Sequence, residues 1–392
     1  MGIFGGSKDK QELGVIFDIG SSSVGGALFL MKSSGIPKVI FSIREPIVVE
    51  QKVEIESLLL STLKSLDFVA GKISGAGLGV PKKVFCVLSS PWYASQTRIV
   101  TLQKNTPFIF NSKLADTLTE KEVNIFKEEH KAKYPNAPGF RMIELKHIKT
   151  MLNGYATPNP SNQKAKELEM TIFISMSPEP ILAKIEETIG RYFYHKNIKF
   201  SSCMMAFFAV VRDMFAKEEN FLLVHIGGEL TDISMIKNSI LRESVSFPLG
   251  LNFIIRGVAE GLNCSVSEAR SFISLYKDGH IAEPTNQKLE PIINKLKTEW
   301  LKGFQESLAN LSNDISIPAT VFTAVYKEFA EFFGGIVKTE QFNQYTLTDS
   351  KFQITFLDTV IFNNSIIFAE NVVRDPFLAI EAIYINRFML KE

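Results

Sequence analysis

Residues Val15 to Leu28 read VIFDIGSSSVGGAL, and residues Leu222 to Met235 read LLVHIGGELTDISM. Each is an apolar, β-rich run, then a polar or charged residue, Ile-Gly, a small polar turn and a second apolar run. That pattern predicts a strand, a tight glycine turn and a returning strand. A similar unit recurring about two hundred residues later predicts a duplicated, two-lobed α/β fold with a cleft between the lobes. In the first hairpin Gly20 permits the tight backbone. The amides and hydroxyls of Ser21, Ser22 and Ser23 suit phosphate oxygens, and Asp18 suits a hydrated magnesium ion. Taken alone, the turn is read more simply as a plain Gly-Ser hairpin.

The chain has 392 residues, 45% hydrophobic and 22% charged, which suits an ordinary globular protein of roughly two to three domains. Its 43 basic and 42 acidic residues leave a net charge of +1, so no bulk basic field draws in nucleic acid. Cys86, Cys203 and Cys264 are widely spaced in apolar contexts and read as thiols of a reducing cytoplasm, not as a disulfide framework or metal site. The apolar run Cys203 to Val211 is far too short to span a membrane. The start carries no signal peptide, and Gly6 stands where myristoylation wants Ser or Thr. His130, His147, His195, His225 and His280 show neither metal-ligand spacing nor a Ser-His-Asp pattern, so no catalytic residue is assigned.

Residues 1 to 13 read as a loose lead-in. After the first hairpin, strands are expected over Lys38 to Val49, a helix over Val53 to Leu66, a buried strand over Lys82 to Leu88 and a strand over Thr97 to Leu102. Thr119 and Glu122 have capping-box spacing for a helix running to Tyr134 and stopped by Pro135 to Gly139. Strands Phe140 to Leu152 and Leu168 to Met176 and a helix Pro180 to Tyr194 complete what reads as a small inserted domain. The Met-, Phe- and Ala-rich helix after Lys199 is expected to lie between two layers. Beyond the second hairpin come the turn Pro248-Leu249-Gly250, a helix Asn252 to Leu262, and a helix to Tyr276 with Ser267 as N-cap. A long helix Pro291 to Leu311 carries Ile293, Leu296, Trp300, Phe304, Leu308 and Leu311 on one stripe. A short strand Ala319 to Phe322, a helix Tyr326 to Phe333 stopped by Gly334-Gly335, mostly β structure over Lys351 to Phe368 and a helix Pro376 to Met389 close the chain.

In this order the elements resemble the actin-like ATPase superfamily, and within it the division protein FtsA and the pilus-assembly protein PilM. The resemblance covers nearly the whole chain. Asp18 to Ser23 is similar to the family's first phosphate loop, Val87 to Pro91 to its VSG-type loop, and Leu118 to Tyr194, with Leu152-Asn153-Gly154-Tyr155, to its small SHS2-type insert. His225-Ile226-Gly227-Gly228-Glu229-Leu230-Thr231-Asp232-Ile233 meets the second phosphate loop, DIGGGTTDI; Pro248-Leu249-Gly250-Leu251 meets a PVGG-type turn, and Asp375-Pro376 a returning DP helix. The implied fold is a duplicated actin-like (ribonuclease-H-like) fold with a small inserted α+β SHS2-type domain. Its expected divisions are lobe one at 1–106, the insert at 107–199, a connecting helix at 200–220, lobe two at 221–368 and a returning helix at 369–392. The resemblance implies nucleotide contacts at Asp18, Gly20, Ser21, Ser22, Ser23, Gly227, Gly228, Thr231 and Gly250, with Asp18 on the metal.

Departures from the family pattern bear on function. His225 replaces the Asp that helps hold magnesium and position water; a neutral ring supplies no anion there and a protonated one repels the metal. Arg270 and Ile273 stand where the nucleoside-embracing Glu and Lys are expected, and Phe322-Thr323-Ala324-Val325 lacks the adenine-binding glycines. The expectation is therefore a degenerate ATPase in which ATP and Mg2+ binding is weak or lost. The function expected first is an FtsA-like cytoplasmic scaffold that contacts a tubulin-like division filament protein and self-associates head to tail. The alternative is a PilM-like platform that captures the tail of a pilus inner-membrane protein. After Phe388-Met389-Leu390-Lys391-Glu392 no amphipathic membrane-targeting helix of the FtsA kind follows, so membrane contact at the inner face is expected to run through partners.

Overall fold

A computed structural model describes residues 11–32, 35–133, 139–194, 197–311, 317–339 and 351–390. Most of the lead-in, the Pro135 stop, His195 and the last two residues lie outside the described residues.

Three antiparallel strands open the chain: β1 (Glu12–Ile19), β2 (Ser23–Met31) and β3 (Lys38–Pro46). Helix α1 (Ile55–Gly75) then crosses to β4 (Lys83–Leu88), which lies parallel to β1. A block of β5 (Ala94–Ile109), α2 (Ser112–Lys133), β6 (Phe140–Leu152), β7 (Tyr155–Ala156), β8 (Lys164–Pro178) and α3 (Glu179–Gly190) follows. The chain returns through β9 (Ile198–Ser202) and α4 (Cys203–Met214). Lobe two repeats the opening with β10 (Phe221–Ile226), β11 (Thr231–Lys237) and β12 (Ile240–Phe247). After it come α5 (Leu251–Leu262), α6 (Val266–Lys277), α7 (Glu283–Leu311), β13 (Thr320–Ala324), α8 (Lys327–Thr339) and β14 (Gln353–Phe356). The short β15 (Ile367–Phe368) and α9 (Pro376–Tyr384), extended by a π-helical turn Ile385–Met389, return to lobe one.

The duplication is visible strand by strand. One sheet runs β15-β3-β2-β1-β4-β9 and the other β12-β11-β10-β13-β14, so each has an antiparallel trio continued by two parallel strands. The register matches too. Ile19 pairs with Val24 and Asp18 with Gly25 in the first hairpin, as Ile226 pairs with Thr231 and His225 with Asp232 in the second. Helices α4 and α9 lie between the two sheets and share one apolar cluster with both. That sandwich explains why Cys203 through Val211 is apolar all round: each face of α4 meets protein. The stripe of α7 is buried on lobe two as its spacing predicts.

The third sheet, β5-β8-β6-β7, carries α2 on one face. It takes in the chain from Ala94, upstream of the expected boundary at 107, because β5 pairs continuously with β8 from Ala94–Met176 to Gln103–Glu167. Glu144 fastens this sheet to lobe one. A register shift between Met142 and Glu144 in β6 accompanies its inward aim, and the buried carboxylate accepts Ser201 Oγ at 2.8 Å, Ser202 N at 3.2 Å, Ser202 Oγ at 2.8 Å and the Tyr384 hydroxyl.

Several boundaries differ from expectation. Helix α2 starts at Ser112, where Asn111 Oδ1 accepts Leu114 N at 2.9 Å, and Thr119 is an interior position. Ser265, not Ser267, caps α6, through reciprocal bonds with Glu268. Helix α8 runs through Gly334-Gly335, since Gly334 lets the helix lie against the Phe356 ring. Between 351 and 368 the strands are confined to β14 and β15.

Candidate functional site

The floor of the interlobe cleft is made by the turns of the two duplicated hairpins. In the first, Gly20 N bonds Ser23 O at 3.2 Å, and Gly20 O accepts the Trp92 indole N–H at 2.9 Å. In the second, Gly227 N bonds Leu230 O at 2.9 Å, while the carbonyls of Gly227 and Gly228 accept Leu251 N at 2.9 Å and Asn252 N at 2.8 Å. The second turn thereby caps the N-terminus of α5, whose N-cap residue Gly250 has no side chain to do so. The turns touch each other. Glu229 N donates to Ser21 Oγ at 3.0 Å, and a β-carbon on Gly228 would sit 2.5 Å from the Ser21 carbonyl carbon. A β-carbon on Gly250 would sit 2.4 Å from Gly228 O. Both glycines are thus required by backbone meeting backbone.

Arg44 of β3 crosses above the first turn. Its Nη2 donates to Asp18 Oδ2 at 2.7 Å and Asp375 Oδ1 at 3.1 Å, and its Nε to Asp375 Oδ2 at 2.5 Å. Its Nη1 reaches Ser23 Oγ at 2.9 Å and the Tyr326 hydroxyl at 3.2 Å, and those two oxygens are 2.6 Å apart. The guanidinium carbon lies 5.5 Å from the Tyr326 ring centre and 5.3 Å from that of Phe377. Burial raises the Asp18 pKa against the opposing pull of Arg44, and the Asp375 carboxylate adds to the rise.

Below the turns lies a second polar cluster. His225 Nδ1 is 3.4 Å from Asp232 Oδ2 and 3.8 Å from Cys203 Sγ, with Phe207 and Phe377 edge-on to the ring. Burial works against the charged ring, but the Cys203 sulfur and the Asp232 carboxylate outweigh it and raise His225 to about 10. Asp232 Oδ1 also accepts Ser90 Oγ at 2.9 Å and Ser246 Oγ at 2.5 Å. Close by, Glu381 of α9 is fully buried, and neither carboxylate oxygen has a hydrogen-bond partner among the described residues. Burial, then the negative field of Asp18, hold its pKa well above the usual carboxylate range against the pull of Arg44.

Outside the floor, the cleft opens into a cavity of about 1090 Å³ whose walls include Ser22, Ser23, Arg44, Arg270, Lys277 and Tyr326. Of the residues expected to bind nucleotide, Asp18, Ser21, Ser22, Ser23, Gly227, Gly228 and Gly250 gather at the floor. Gly20 turns its carbonyl to Trp92, and Thr231 is withdrawn, donating to Leu249 O at 2.7 Å beneath the Trp300 indole. Arg270 and Val325 line the cavity. A magnesium nucleotide does not fit these residues as they stand. The turns leave no gap for phosphate between Gly228 and Ser21, Asp18 is held by Arg44, and the Tyr326 hydroxyl lies on Ser23. Among the described residues, no group of three or more His, Cys, Asp or Glu side chains is placed to hold a metal ion.

Arg44, Tyr326 and Glu381 escaped the sequence reading. A signal for Arg44 was present in Gly25-Gly26: Gly25 is paired with Arg44 in the β2–β3 register, and a β-carbon on it would sit 2.6 Å from Nη2.

No protein-family model matches the chain, and no curated protein matches it by sequence. Among solved structures it is similar to a PilM-PilN type IV pilus biogenesis complex, at 14% identity over 95% of this chain and 96% of that one, with a TM-score of 0.55. It also aligns with the ethanolamine utilization protein EutJ from Carboxydothermus hydrogenoformans, at 11% identity over 97% and 90% of the two chains and a TM-score of 0.40. A Bacteroides thetaiotaomicron protein with an actin-like ATPase fold aligns at 10% identity over 98% and 99%, with a TM-score of 0.39. The first of these carries the assignment. The chain has the two-lobed actin-like α/β fold, shared with that structure.

Proposed function

We propose that this protein is a PilM-like platform whose work is to hold another protein, with ATP binding weak or lost and turnover negligible. The observation that supports it is the end-to-end likeness to a structure solved as a PilM–PilN complex, 95% of one chain on 96% of the other. The division-scaffold reading favoured by the sequence has no comparable support. Fold alone does not transmit function, so the cleft matters as a second line of support. Its floor is filled by the protein's own side chains, which favours a binding role over a catalytic one. In this reading the partner is the cytoplasmic tail of a pilus inner-membrane protein, and the protein reaches the inner face of the membrane through that tail. No helix among the described residues is long and apolar enough to cross a membrane.

Two measurements test the reading. The full-length chain is expected to retain an N-terminal peptide of a pilus inner-membrane protein from the same genome, and not the tubulin-like division protein. Retention of the division protein alone would reverse the assignment. In a fluorescence titration with an ATP analogue and magnesium, no saturation is expected in the micromolar range; tight binding with phosphate release would restore the ATPase.

A further inference from the structure

We propose that Arg44 is a built-in replacement for the cation of the cleft, tying both lobes and α9 together so that the floor stays closed whatever the nucleotide or magnesium concentration. The inference stands apart from the choice of protein partner, because it concerns only what holds the floor.

A guanidinium has five N–H donors in a fixed plane. Here they face acceptors from separate parts of the fold: Asp18 and Ser23 of lobe one, Asp375 at the N-terminus of α9, and Tyr326 just after β13 of lobe two. Asp375 takes a two-pronged contact and also caps α9, accepting Phe377 N at 3.0 Å and Leu378 N at 3.1 Å. The arrangement does what a bridging metal does. It neutralises two carboxylates that would otherwise repel, and it draws in an uncharged oxygen from the facing lobe. A magnesium ion would have to displace the guanidinium from Asp18. Gly25 completes the device, since its bare α-carbon lets the arginine pass across β2.

Hydrogen exchange on the full-length protein, read by mass spectrometry over residues 18–24 and 320–327, tests this. In the wild type, protection of both segments is expected to be the same in EDTA, in magnesium and in magnesium with ATP. In Arg44→Met, both segments are expected to exchange about tenfold faster or more, as the floor opens locally. Gly25→Ala, which keeps the arginine but blocks its path, is expected to do the same. Tyr326→Phe, which removes one acceptor and leaves the ion pairs, is expected to loosen 320–327 alone and decides the matter if the other variants do not fold. Wild-type protection in Arg44→Met, or in Tyr326→Phe where that variant has to decide, overturns the proposal. So does a slowing of exchange in the wild type when magnesium and ATP are added.

Discussion

Glu381 is the residue whose chemistry departs furthest from its surroundings. A carboxyl with no hydrogen-bond partner among the described residues is buried beneath Asp18 and Asp375. Such a group keeps its proton, because charging it in a low-dielectric interior costs more than taking a proton from water. Its folded pKa lies above its unfolded value, so the stability it permits is fully present below about pH 4.5 and is lost as pH rises toward the folded pKa. Glu381→Gln mimics the protonated form without proton uptake. It is expected to be more stable than wild type by about 1–3 kcal/mol near pH 8, with the gap closing near pH 4.5. Urea denaturation at both pH values checks this, and an equal gap at each would show that no proton is taken up on folding. His225 runs in the same direction over a higher window. Its raised pKa favours folding below about 6.5, a contribution lost as pH passes about 10.

Elements built from local patterns were the most legible in the sequence. The two hairpins, the α7 stripe and the all-apolar α4 each announce themselves within a dozen or so residues through spacing or its absence. Termini were less legible, since Ser265 and Ser267 both precede Glu268 and only the three-residue separation makes the reciprocal cap. Attachment of the inserted sheet could not be read at all. Glu144 looks like any charged strand residue until β6 bulges and turns it onto Ser201, Ser202 and Tyr384, the last 240 residues away. Glu144→Ala leaves those donors buried without an acceptor and is expected to cost about 2–4 kcal/mol. Denaturation with urea measures the loss, and limited proteolysis shows where it falls. Cleavage at the junctions around Ala94 and Pro178 is expected to rise before cleavage inside either lobe. Unchanged stability would mean that the sheet is held by apolar contacts such as that of Ile143 with lobe one.

At the scale of the whole molecule, sequence and fold agreed because duplication leaves a long-range echo that a single chain can show. What stayed hidden was the wiring across the cleft. Arg44 meets Asp18 from 26 positions away and Asp375 from 331, and no local period encodes such a meeting. His225 lies beneath the two turns and Arg270 and Val325 line the cavity, and the structure supplies a reason why the turns keep their glycines. Gly228 and Gly250 are needed to let protein backbones touch, so their presence says nothing about a ligand.

The matched registers of the two hairpins carry one more consequence. Asp18 faces Gly25 in one half, and at the equivalent places His225 faces Asp232 in the other. Repeating the first half faithfully would have placed a second acid where His225 stands, repelling Asp18. Swapping the sign on one side turns that repulsion into internal neutrality. The copies have become complementary, like the two halves of a heterodimer fused in one chain, and the molecule supplies a base of its own to each acid, Arg44 to Asp18 and His225 to Asp232.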